Sequence, residues 1–521
     1  MIKALIISNC SKINVIFTFY LVEEIIKECE ILNKPIKIKT RIYMPAMMKK
    51  YGVLLLLMFI TYIYSFGSEN KTAIAERNLI RAMESVDNTI SAHFTGDDMK
   101  MARFYNPYTN KRSDETGSVW MYTSGIEAVN AVLHALKTHK QVVNDKMYKK
   151  YYDKYKRLLY DLYDNADYYL GTFTLTSYTR TNEWTVYGVN RGYKKGNAKV
   201  AGIENVYDDQ MWLVRELLES YKITGDKVFL EKAEYLTEYV LDGWDCTIDE
   251  SGNERGGITW GPGYVSKHSC SNGPMVSPLV WLHEIYKDKD VTITHYFIDK
   301  SDKVTRKQSQ MKKSDYYLMF AKKVYDWQKE YLIREDGVYA DMMGGCTPRN
   351  PEIELVNGVE YRKGILCRDK VGPAISYNSG TMLSGAADLY HATGENIYKD
   401  DAVSLSDASF VYFAKKDEEV SGYYSYKING FNNWFNGVLM RGYADCYPFY
   451  INTGVYVKTF QQNLDFAYNK FRYKGLFPTN LLLGWNKNRE ENNLEGMFSF
   501  SFAAEYAVLS RLMLNDKMNT K

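Results

Sequence analysis

The chain has 521 residues, of which 25% are charged and 45% are hydrophobic, and its formal net charge is +3 at pH 7. This is the composition of a globular protein with enough apolar residues to bury a large core. Because the charge is balanced and no long basic block occurs, nucleic acid is excluded as an expected partner.

Residues 47–67 have the pattern of a signal peptide. A short positive segment, Met47 to Lys50, precedes an apolar run from Gly52 to Tyr64 and a small-x-small cleavage site at Ser65 to Gly67. The apolar run is shorter than a typical membrane span. We therefore expect export without stable membrane insertion of the mature chain; a membrane anchor with a cytoplasmic tail is the alternative.

This segment divides the chain into three predicted parts. Residues 1–46 are expected to be an upstream extension from a start codon assigned too early, residues 47–67 the signal peptide, and residues 68–521 a single folded domain. The mature chain would be periplasmic, extracellular or held at the cell surface, and we expect a monomer.

From about Arg77 onward, apolar residues recur at three- and four-residue spacing, and sustained alternation with a period of two is rare. This spacing is typical of amphipathic helices. Twelve helices are predicted, at 77–93, 118–138, 145–170, 208–222, 226–242, 272–287, 314–333, 378–393, 396–414, 432–448, 453–471 and 496–514.

Two of the predicted helix pairs have similar junctions. In each, a glycine, Gly225 or Gly394, follows an apolar helix and precedes the acid that starts the next helix. Glycine is the favoured residue just past a helix end. A repeated helical hairpin and twelve helices predict an all-α fold, an (α/α)6 toroid with inner and outer helical rings. The alternative is a helical solenoid, but no fixed period near 34 residues occurs.

The connections between the predicted helices include several long ones. Long loops inside a compact domain are usually functional, so we expect those on one rim of the toroid to wall a cleft. The stretch 288–313 differs, because it is charged and rich in lysine, and it is predicted to be a surface excursion. The long connections are 171–207, 243–271, 334–377, 415–431 and 472–495.

Asp208 and Asp209 stand where the first long connection meets a predicted helix. Neighbouring residues at a helix start can share one pocket while their carboxyl groups point at different atoms. One ionised carboxylate raises the pKa of the other. One of them can then act as general acid and the other as nucleophile or base, as in glycoside hydrolysis. The structural alternative is that the acids cap the helix and complement its dipole.

Five cysteines lie in the predicted mature domain, at positions 246, 270, 346, 367 and 446. They lack the C-x-x-C spacing of a zinc site, and the chain shows no clear metal cluster. We expect neither a metal nor a cofactor. Cys346 and Cys367 are a candidate disulfide across one loop of an exported chain, and the odd count leaves at least one cysteine without an intramolecular partner.

Five short segments occur in a characteristic order. They are Val206 to Trp212 (VYDDQMW), Gly256 to Trp260 (GGITW), Ser271 to Pro274 (SNGP), Tyr377 to Gly380 (YNSG) and Phe435 to Val438 (FNGV). Together they resemble glycoside hydrolase family 76, from about residue 78 to residue 512. Each segment is a weak signal alone, whereas the set is fairly specific. The chain departs from the family at Thr259, where a bulkier aromatic residue often stands.

The resemblance implies an (α/α)6 fold and a retaining endo-α-1,6-mannanase that acts on α-mannan or manno-oligosaccharides. It assigns the catalytic pair to Asp208, as nucleophile, and Asp209, as general acid/base. The order of these two roles rests on the resemblance alone. Neither a metal nor a cofactor is needed for this chemistry.

Seven further residues in or beside these segments are candidate sugar contacts. Aromatic faces can stack on sugar rings, and amides and hydroxyls can bond to sugar hydroxyls. The alternative for the aromatic residues is core packing, and for the asparagines it is helix capping or support of a loop backbone. The candidates are Tyr207, Trp212, Trp260, Asn272, Tyr377, Asn378 and Asn436.

Other functions use the same fold. A transglycosidase, or an α-glycosidase of another linkage, would keep both acids. A non-catalytic glycan-binding protein of an uptake system would also be helical, exported and rich in aromatic residues, but it would have no need of the acid pair.

Overall fold

The computed structural model describes residues 71–518, with side chains through residue 514. The predicted upstream extension, 1–46, and the predicted signal peptide, 47–67, lie outside the described residues. Across the part of the chain that the structure describes, no helix is both long and apolar enough to cross a membrane.

Within residues 71–518 the structure contains twelve α-helices, and each corresponds to a predicted one. They are α1 (71–93), α2 (Val119–Val142), α3 (Lys146–Ala166), α4 (Tyr207–Thr224), α5 (Lys227–Leu241), α6 (Val276–Tyr286), α7 (Lys313–Leu332), α8 (Ser376–Thr393), α9 (Asn396–Phe413), α10 (Asn432–Cys446), α11 (Thr453–Lys470) and α12 (Gly496–Met518).

The helices form two concentric rings. Helices α2, α4, α6, α8, α10 and α12 each pack against the next in this series, and α12 packs against α2. Helices α3, α5, α7, α9 and α11 each pack on the inner helix that precedes them in the chain. This alternation is the (α/α)6 arrangement, so the predicted fold is confirmed.

The two rings bury their helices differently. Outer helix α3 has one apolar stripe, in which Tyr152, Tyr155, Leu159 and Leu162 are buried at three- and four-residue spacing, and 7 of its 21 residues are buried in all. Inner helix α2 buries 17 of its 24 residues. A helix covered on most sides needs small residues where it meets its neighbours.

Glycine provides such a close approach between two inner helices. A Cβ on Gly380 of α8 would lie 2.6 Å from the Val438 carbonyl oxygen of α10. A side chain there would push the two backbones apart. The close approach keeps the starts of α8 and α10 next to each other, at the rim where the site lies.

The connections contain short antiparallel strands. These are β1 (Phe94–Thr95), β2 (Lys100–Met101), β3 (Phe104–Asn106), β4 (Lys111–Arg112), β5 (Leu170–Thr176), β6 (Thr181–Tyr187), β7 (Lys267–His268), β8 (Thr292–Ile298), β9 (Arg306–Lys312), β10 (Met342–Gly344), β11 (Ile353–Val356), β12 (Val359–Arg362), β13 (Asp369–Val371), β14 (Lys415–Lys416), β15 (Tyr424–Ser425) and β16 (Leu494–Glu495).

The first long connection begins with a β-hairpin, where the sequence predicts the end of a helix and a loop. The helix predicted at 145–170 ends at Ala166, and β5 pairs with β6 from Leu170 opposite Tyr187 to Thr176 opposite Thr181. Threonines alternate along β5, at Thr172, Thr174 and Thr176, and occur twice in β6, and β-branched residues favour this pleated geometry. Cross-strand hydroxyl bonds reinforce the pairing, for example 2.8 Å between Thr172 and Thr185.

The charged stretch 288–313 also forms a hairpin, β8–β9, with Thr292 opposite Lys312 and Ile298 opposite Arg306. It lies against outer helix α7 with most of β9 exposed, in line with the predicted surface excursion, but it forms regular strands. The predicted disulfide between Cys346 and Cys367 is present. Among the described cysteines, Cys246, Cys270 and Cys446 are free.

The helix junctions follow the prediction in part. Gly225 and Gly394 both adopt left-handed backbone angles just past α4 and α8, which glycine tolerates without cost. Asp226 caps α5, because its carboxylate accepts a 3.1 Å hydrogen bond from the Val228 N–H. Glu395 makes no such side-chain cap for α9.

Candidate active site

The start of helix α4 is held by a neighbouring loop. The helix begins at Tyr207 after Val206, whose side chain cannot accept a hydrogen bond. The Tyr207 N–H instead donates to the Trp260 carbonyl at 2.8 Å. Asp208 and Asp209 therefore lie in the first helical turn without occupying the N-cap position, and the loop 243–271 fixes where they stand.

Asp208 accepts two hydrogen bonds. Its Oδ2 accepts from the Trp260 indole Nε1 at 3.4 Å, and its Oδ1 accepts from the Asp209 N–H at 3.0 Å. The Cys270 thiol also favours the ionised carboxylate. Burial raises the pKa of Asp208 to about 6, and Cys270 and Trp260 limit that rise because they stabilise the ionised carboxylate.

Asp209 has a different environment. Its side chain is 7% exposed, and no side chain among the described residues donates to its carboxyl group. Burial, and then the negative charge of Asp208, raise the pKa of Asp209 well above its ordinary value. The pair is therefore split: over a range of pH, Asp208 is ionised while Asp209 keeps its proton.

Aromatic side chains join the starts of four inner helices beside the acids. Trp212 of α4 donates from Nε1 to the Tyr377 hydroxyl of α8 at 2.6 Å. The ring of Trp434 on α10 lies 4.7 Å from that of Trp212 and 5.5 Å from that of Tyr377. Trp120 of α2 meets Trp434 edge-on at 5.2 Å. Such edge-to-face contacts fix ring positions, so the floor of the site is rigid.

Trp260 is the predicted sugar contact that bonds directly to one of the two acids. It is partly exposed and donates to Asp208. Tyr264 packs against its ring at 4.8 Å, and His268 stacks on it at 5.1 Å. Burial lowers the pKa of His268 to about 4, so this neighbour is neutral at physiological pH. Trp260 thus forms one wall beside the Asp208 carboxylate.

The position of Tyr207 differs from the one expected for the predicted sugar contact. Its side chain is 0% exposed and packs against Tyr239 of the outer helix α5, with ring centroids 5.2 Å apart. Consecutive helical residues point about 100° apart. Asp208 faces the cleft, so Tyr207 faces the outer ring and supports the helix start instead of touching a sugar.

The predicted asparagines are also buried and support the backbone. Asn272 donates to the Ile258 and His268 carbonyls at 3.0 and 2.7 Å. Asn378 donates to the Ala340 carbonyl at 3.2 Å. Asn436 accepts from the Ser376 hydroxyl at 2.8 Å and donates to the Lys427 carbonyl at 2.9 Å. Their amides hold loops around the cleft, so a structural role replaces the predicted sugar contact.

Trp212 and Tyr377 are buried too, and each already has the other as its hydrogen-bond partner. They belong to the floor of the site and not to its open surface. Four residues of the site were missed in the sequence: Trp120, Tyr264, Cys270 and Trp434. Cys270 and Trp434 each directly precede a segment that was recognised, and that adjacency was the available signal.

Comparison with known proteins agrees with this geometry. Residues 307–520 match the model of glycosyl hydrolase family 76. The match begins in the hairpin β8–β9 and takes in helices α7 to α12. The predicted resemblance is therefore confirmed, and so is the predicted enzyme class, glycoside hydrolase.

Among curated proteins, the chain is similar to a mannan endo-1,6-alpha-mannosidase of Candida glabrata. The two are 24% identical over 183 residues, which make up 34% of this chain and 32% of the relative. The chain thus matches about a third of the length of that relative.

Two solved family 76 structures share the fold. A mannosidase of Bacteroides thetaiotaomicron superposes with a TM-score of 0.60 at 20% identity, covering 85% of this chain and 100% of that chain. An inactive variant of an alpha-1,6-mannanase of Salegentibacter sp. HEL1_6, in complex with alpha-1,6-mannotriose, has a TM-score of 0.53 at 19% identity, covering 84% and 99%.

Proposed function

We propose that this chain is a retaining endo-α-1,6-mannanase in which Asp208 is the nucleophile and Asp209 the general acid/base. The observation that carries the proposal is the unequal environment of the two carboxyl groups. Asp208 accepts hydrogen bonds from Trp260 and from the Asp209 N–H and has a pKa of about 6, whereas Asp209 is buried without a side-chain donor and its pKa is raised well above its ordinary value. Double displacement needs one ionised and one protonated carboxyl group.

The proposed reaction has two steps. In the first, Asp208 attacks the anomeric carbon to form a mannosyl-enzyme ester, and the proton of Asp209 passes to the departing 6-oxygen. In the second, Asp209 takes a proton from water, whose oxygen attacks the same carbon and releases Asp208. Two inversions give net retention. Water is the acceptor in hydrolysis, and a second sugar hydroxyl in its place would give transglycosylation.

The location of the pair supports the assignment. Adjacent aspartates occur three times in the chain, at 97–98, 208–209 and 400–401. Asp97 and Asp400 are exposed, and Asp401 is paired with Lys329 at 2.6 Å. The pair at 208–209 is the one that opens an inner helix. In the Salegentibacter mannanase, the inactive variant carries asparagine in place of two adjacent aspartates.

The substrate part of the proposal is supported by the relatives. The Candida glabrata relative is named for mannan and the 1,6-alpha linkage, and the Salegentibacter structure contains alpha-1,6-mannotriose. In this chain, the partly exposed Trp260 bonds to Asp208, and the partly exposed Trp120 and Phe435 stack on each other beside Trp434 and Tyr377. Flat apolar faces beside polar groups suit the hexose rings of such a chain.

Export is part of the proposal and rests on the sequence of residues 47–67. A polymer too large to enter a cell must be cut outside it, in the periplasm or at the cell surface. Fractionation of the producing cells, followed by N-terminal sequencing of the exported chain, should give a start near Ser68. A chain retained in the cytoplasm with its first residues intact would refute export.

The deciding experiment is digestion of linear, debranched α-1,6-mannan with product chromatography. The wild-type chain should release a ladder of short manno-oligosaccharides, and proton NMR should show the α anomer first. Asp208→Asn and Asp209→Asn should each slow cleavage by about 10²- to 10⁴-fold, while Asp97→Asn, at an exposed position, should leave it unchanged. Full activity in both site variants would refute the mechanism, and products longer than the substrate would indicate transfer.

A further inference from the structure

Outside the helical rings, a groove of about 700 Å³ runs beside outer helix α7. It lies between that helix, the loop around residues 249–256 and the hairpin β8–β9, and it shares no lining residue with the acid pair. A volume of this size is in the range of ligand sites. The hairpin is the charged stretch 288–313, for which the proposed reaction gives no role.

Contacts between the three walls give the groove a fixed shape. The hairpin turn is tied to the loop, because Lys303 Nζ donates to the Asp249 and Glu250 carbonyls at 2.9 and 2.7 Å. The loop is tied to the helix by Lys323, which bonds Glu254 at 2.8 Å. A preformed groove binds with less loss of conformational entropy than a mobile one.

The aromatic side chains that line the groove are also held in fixed positions by their neighbours. Tyr331 is 38% exposed and stacks on Trp327, with ring centroids 5.5 Å apart. On the opposite wall Phe297 is partly exposed and stacks on His295 at 5.3 Å. Each outer ring is thus held flat by a second ring behind it, which leaves two oriented apolar faces toward the groove.

Polar groups lie beside these faces. Asp326 and Glu330 are exposed along the same side of α7 as Tyr331 and form no hydrogen bond or ion pair among the described residues. Five acids line the groove against two lysines, so an anionic ligand would be repelled. Carboxylates accept hydrogen bonds from hydroxyl groups, and flat rings stack on the C–H face of a pyranose.

We propose that this groove is a second glycan-binding site, which holds a segment of a neutral hexose polymer while another segment is in the catalytic cleft. The choice of α-1,6-mannan as that polymer rests on the proposed function. Trp327, at the base of the groove, packs against Gly256, where a Cβ would lie 2.7 Å from its ring. The loop that lines the groove at Gly256 continues to Trp260, which lies beside the acid pair. One polymer chain can therefore contact both the groove and the catalytic cleft along the same loop.

The test is native electrophoresis in gels that contain linear α-1,6-mannan, with Asp208→Asn as the parent so that the polymer is not cut. Tyr331→Ala and Phe297→Ala should each weaken retardation by about three- to tenfold. Tyr331→Phe keeps the ring and should behave as the parent. Tyr193→Ala removes a tyrosine that is 82% exposed outside the groove, and should have no effect. Thermal melting identifies any variant that fails to fold. Because Phe297 and Tyr331 lie on separate walls of the groove, one folded alanine variant is enough to test the proposal.

Unchanged retardation of both alanine variants would overturn the proposal, as would a parent that mannan does not retard. Hydrolysis of α-1,6-mannotetraose by the chain with both aspartates tests the proposed function separately. In that otherwise wild-type chain, Tyr331→Ala should leave the rate on the tetrasaccharide unchanged and reduce kcat/KM on the polymer. Retardation that depends on Tyr331, without any hydrolysis, would support the groove and refute the mannanase.

Discussion

The indole N–H of Trp212 donates a 2.6 Å hydrogen bond to the hydroxyl of Tyr377, and both side chains are buried. The bond joins α4, which carries the two acids, to α8, which is separated from α4 in the inner ring by α6 alone. Because the Tyr377 oxygen is the acceptor, its own hydrogen is directed elsewhere. Burial first, and then the nearby Cys270 and Asp208, raise the pKa of Tyr377 well above its ordinary value, so the hydroxyl stays protonated.

Removing either partner of this bond should lower both stability and turnover. Trp212→Phe leaves the buried Tyr377 hydroxyl without its donor, and Tyr377→Phe leaves the indole N–H without its acceptor. Each should lower the free energy of unfolding by about 1 to 3 kcal/mol, and kcat should fall more than KM changes. Denaturant unfolding of both single variants and the double variant measures the coupling. Strictly additive effects would show that the bond contributes nothing of its own.

The pH dependence of cleavage should be bell-shaped. Asp208 must be ionised to attack, so kcat/KM should fall below about pH 6, the raised pKa of Asp208. Asp209 must be protonated, so a second fall should occur at higher pH, where its own raised pKa is passed. Initial rates on a mannotetraose substrate across the pH range test this. A rate that stays constant down to pH 4 would contradict it.

Cys270→Ala should move the acidic limb of that profile to higher pH. The thiol stabilises the ionised form of Asp208 and so lowers the pKa of its carboxyl group; without the thiol, the carboxyl group is harder to ionise. The matched control is Cys446→Ala, because Cys446 is a free, buried cysteine whose thiol contacts the Leu383 carbonyl and not the acids. If the acidic limb of the pH profile does not move in Cys270→Ala, the thiol has no effect on the pKa of Asp208.

The acid pair should reduce stability at neutral pH. The pKa of Asp208 is 3.8 ordinarily and about 6 in the folded chain. The unfolded chain therefore loses this proton first, and the free energy of unfolding falls as pH rises from about 4 through 6. Asp208→Asn does not titrate, so it should be more stable than the wild type by about 1 to 3 kcal/mol at pH 7 and equal to it near pH 3. Greater wild-type stability at pH 7 would contradict this sign.

The disulfide should stabilise the connection between α7 and α8. Cys346 and Cys367 are 21 residues apart in the sequence, and a closed loop of that size is worth about 3 kcal/mol through the unfolded state. The double variant Cys346→Ser, Cys367→Ser should melt at a lower temperature than the wild type. Adding reductant should lower the melting temperature of the wild type toward that of the variant and leave the variant unchanged.

The helical part of the fold could be predicted because each helix carries its own periodic signal. In α3 the buried Tyr152, Tyr155 and Leu159 mark one face without reference to the rest of the chain. The hairpin β5–β6 could not be found in this way. Its threonines alternate with only three strongly apolar residues on β5, and its stability comes from pairing with a strand whose position is known only in the folded chain.

The residues of the site also divide into those that could be predicted from the sequence and those that could not. The adjacency of Asp208 and Asp209 and the motif at Trp260 were visible in the sequence. Which way a neighbour points was not, because Tyr207 is one residue from Asp208 and yet packs against Tyr239 of the outer ring. The asparagines were misassigned because a buried amide that holds loop carbonyls and an open amide that binds sugar look identical in a sequence.

The packing of α12 against α2 has a consequence for the order of folding. The two helices lie near opposite ends of the described chain. Another contact between these two parts of the chain is the 2.7 Å hydrogen bond from the Ser510 hydroxyl to the carbonyl of Ala75, 435 residues earlier. A growing polypeptide cannot complete its core until the last helix leaves the ribosome. Until then the apolar face of α2 has no partner, and contacts this distant in sequence form slowly. Newly made chains should therefore depend on chaperones until synthesis is finished.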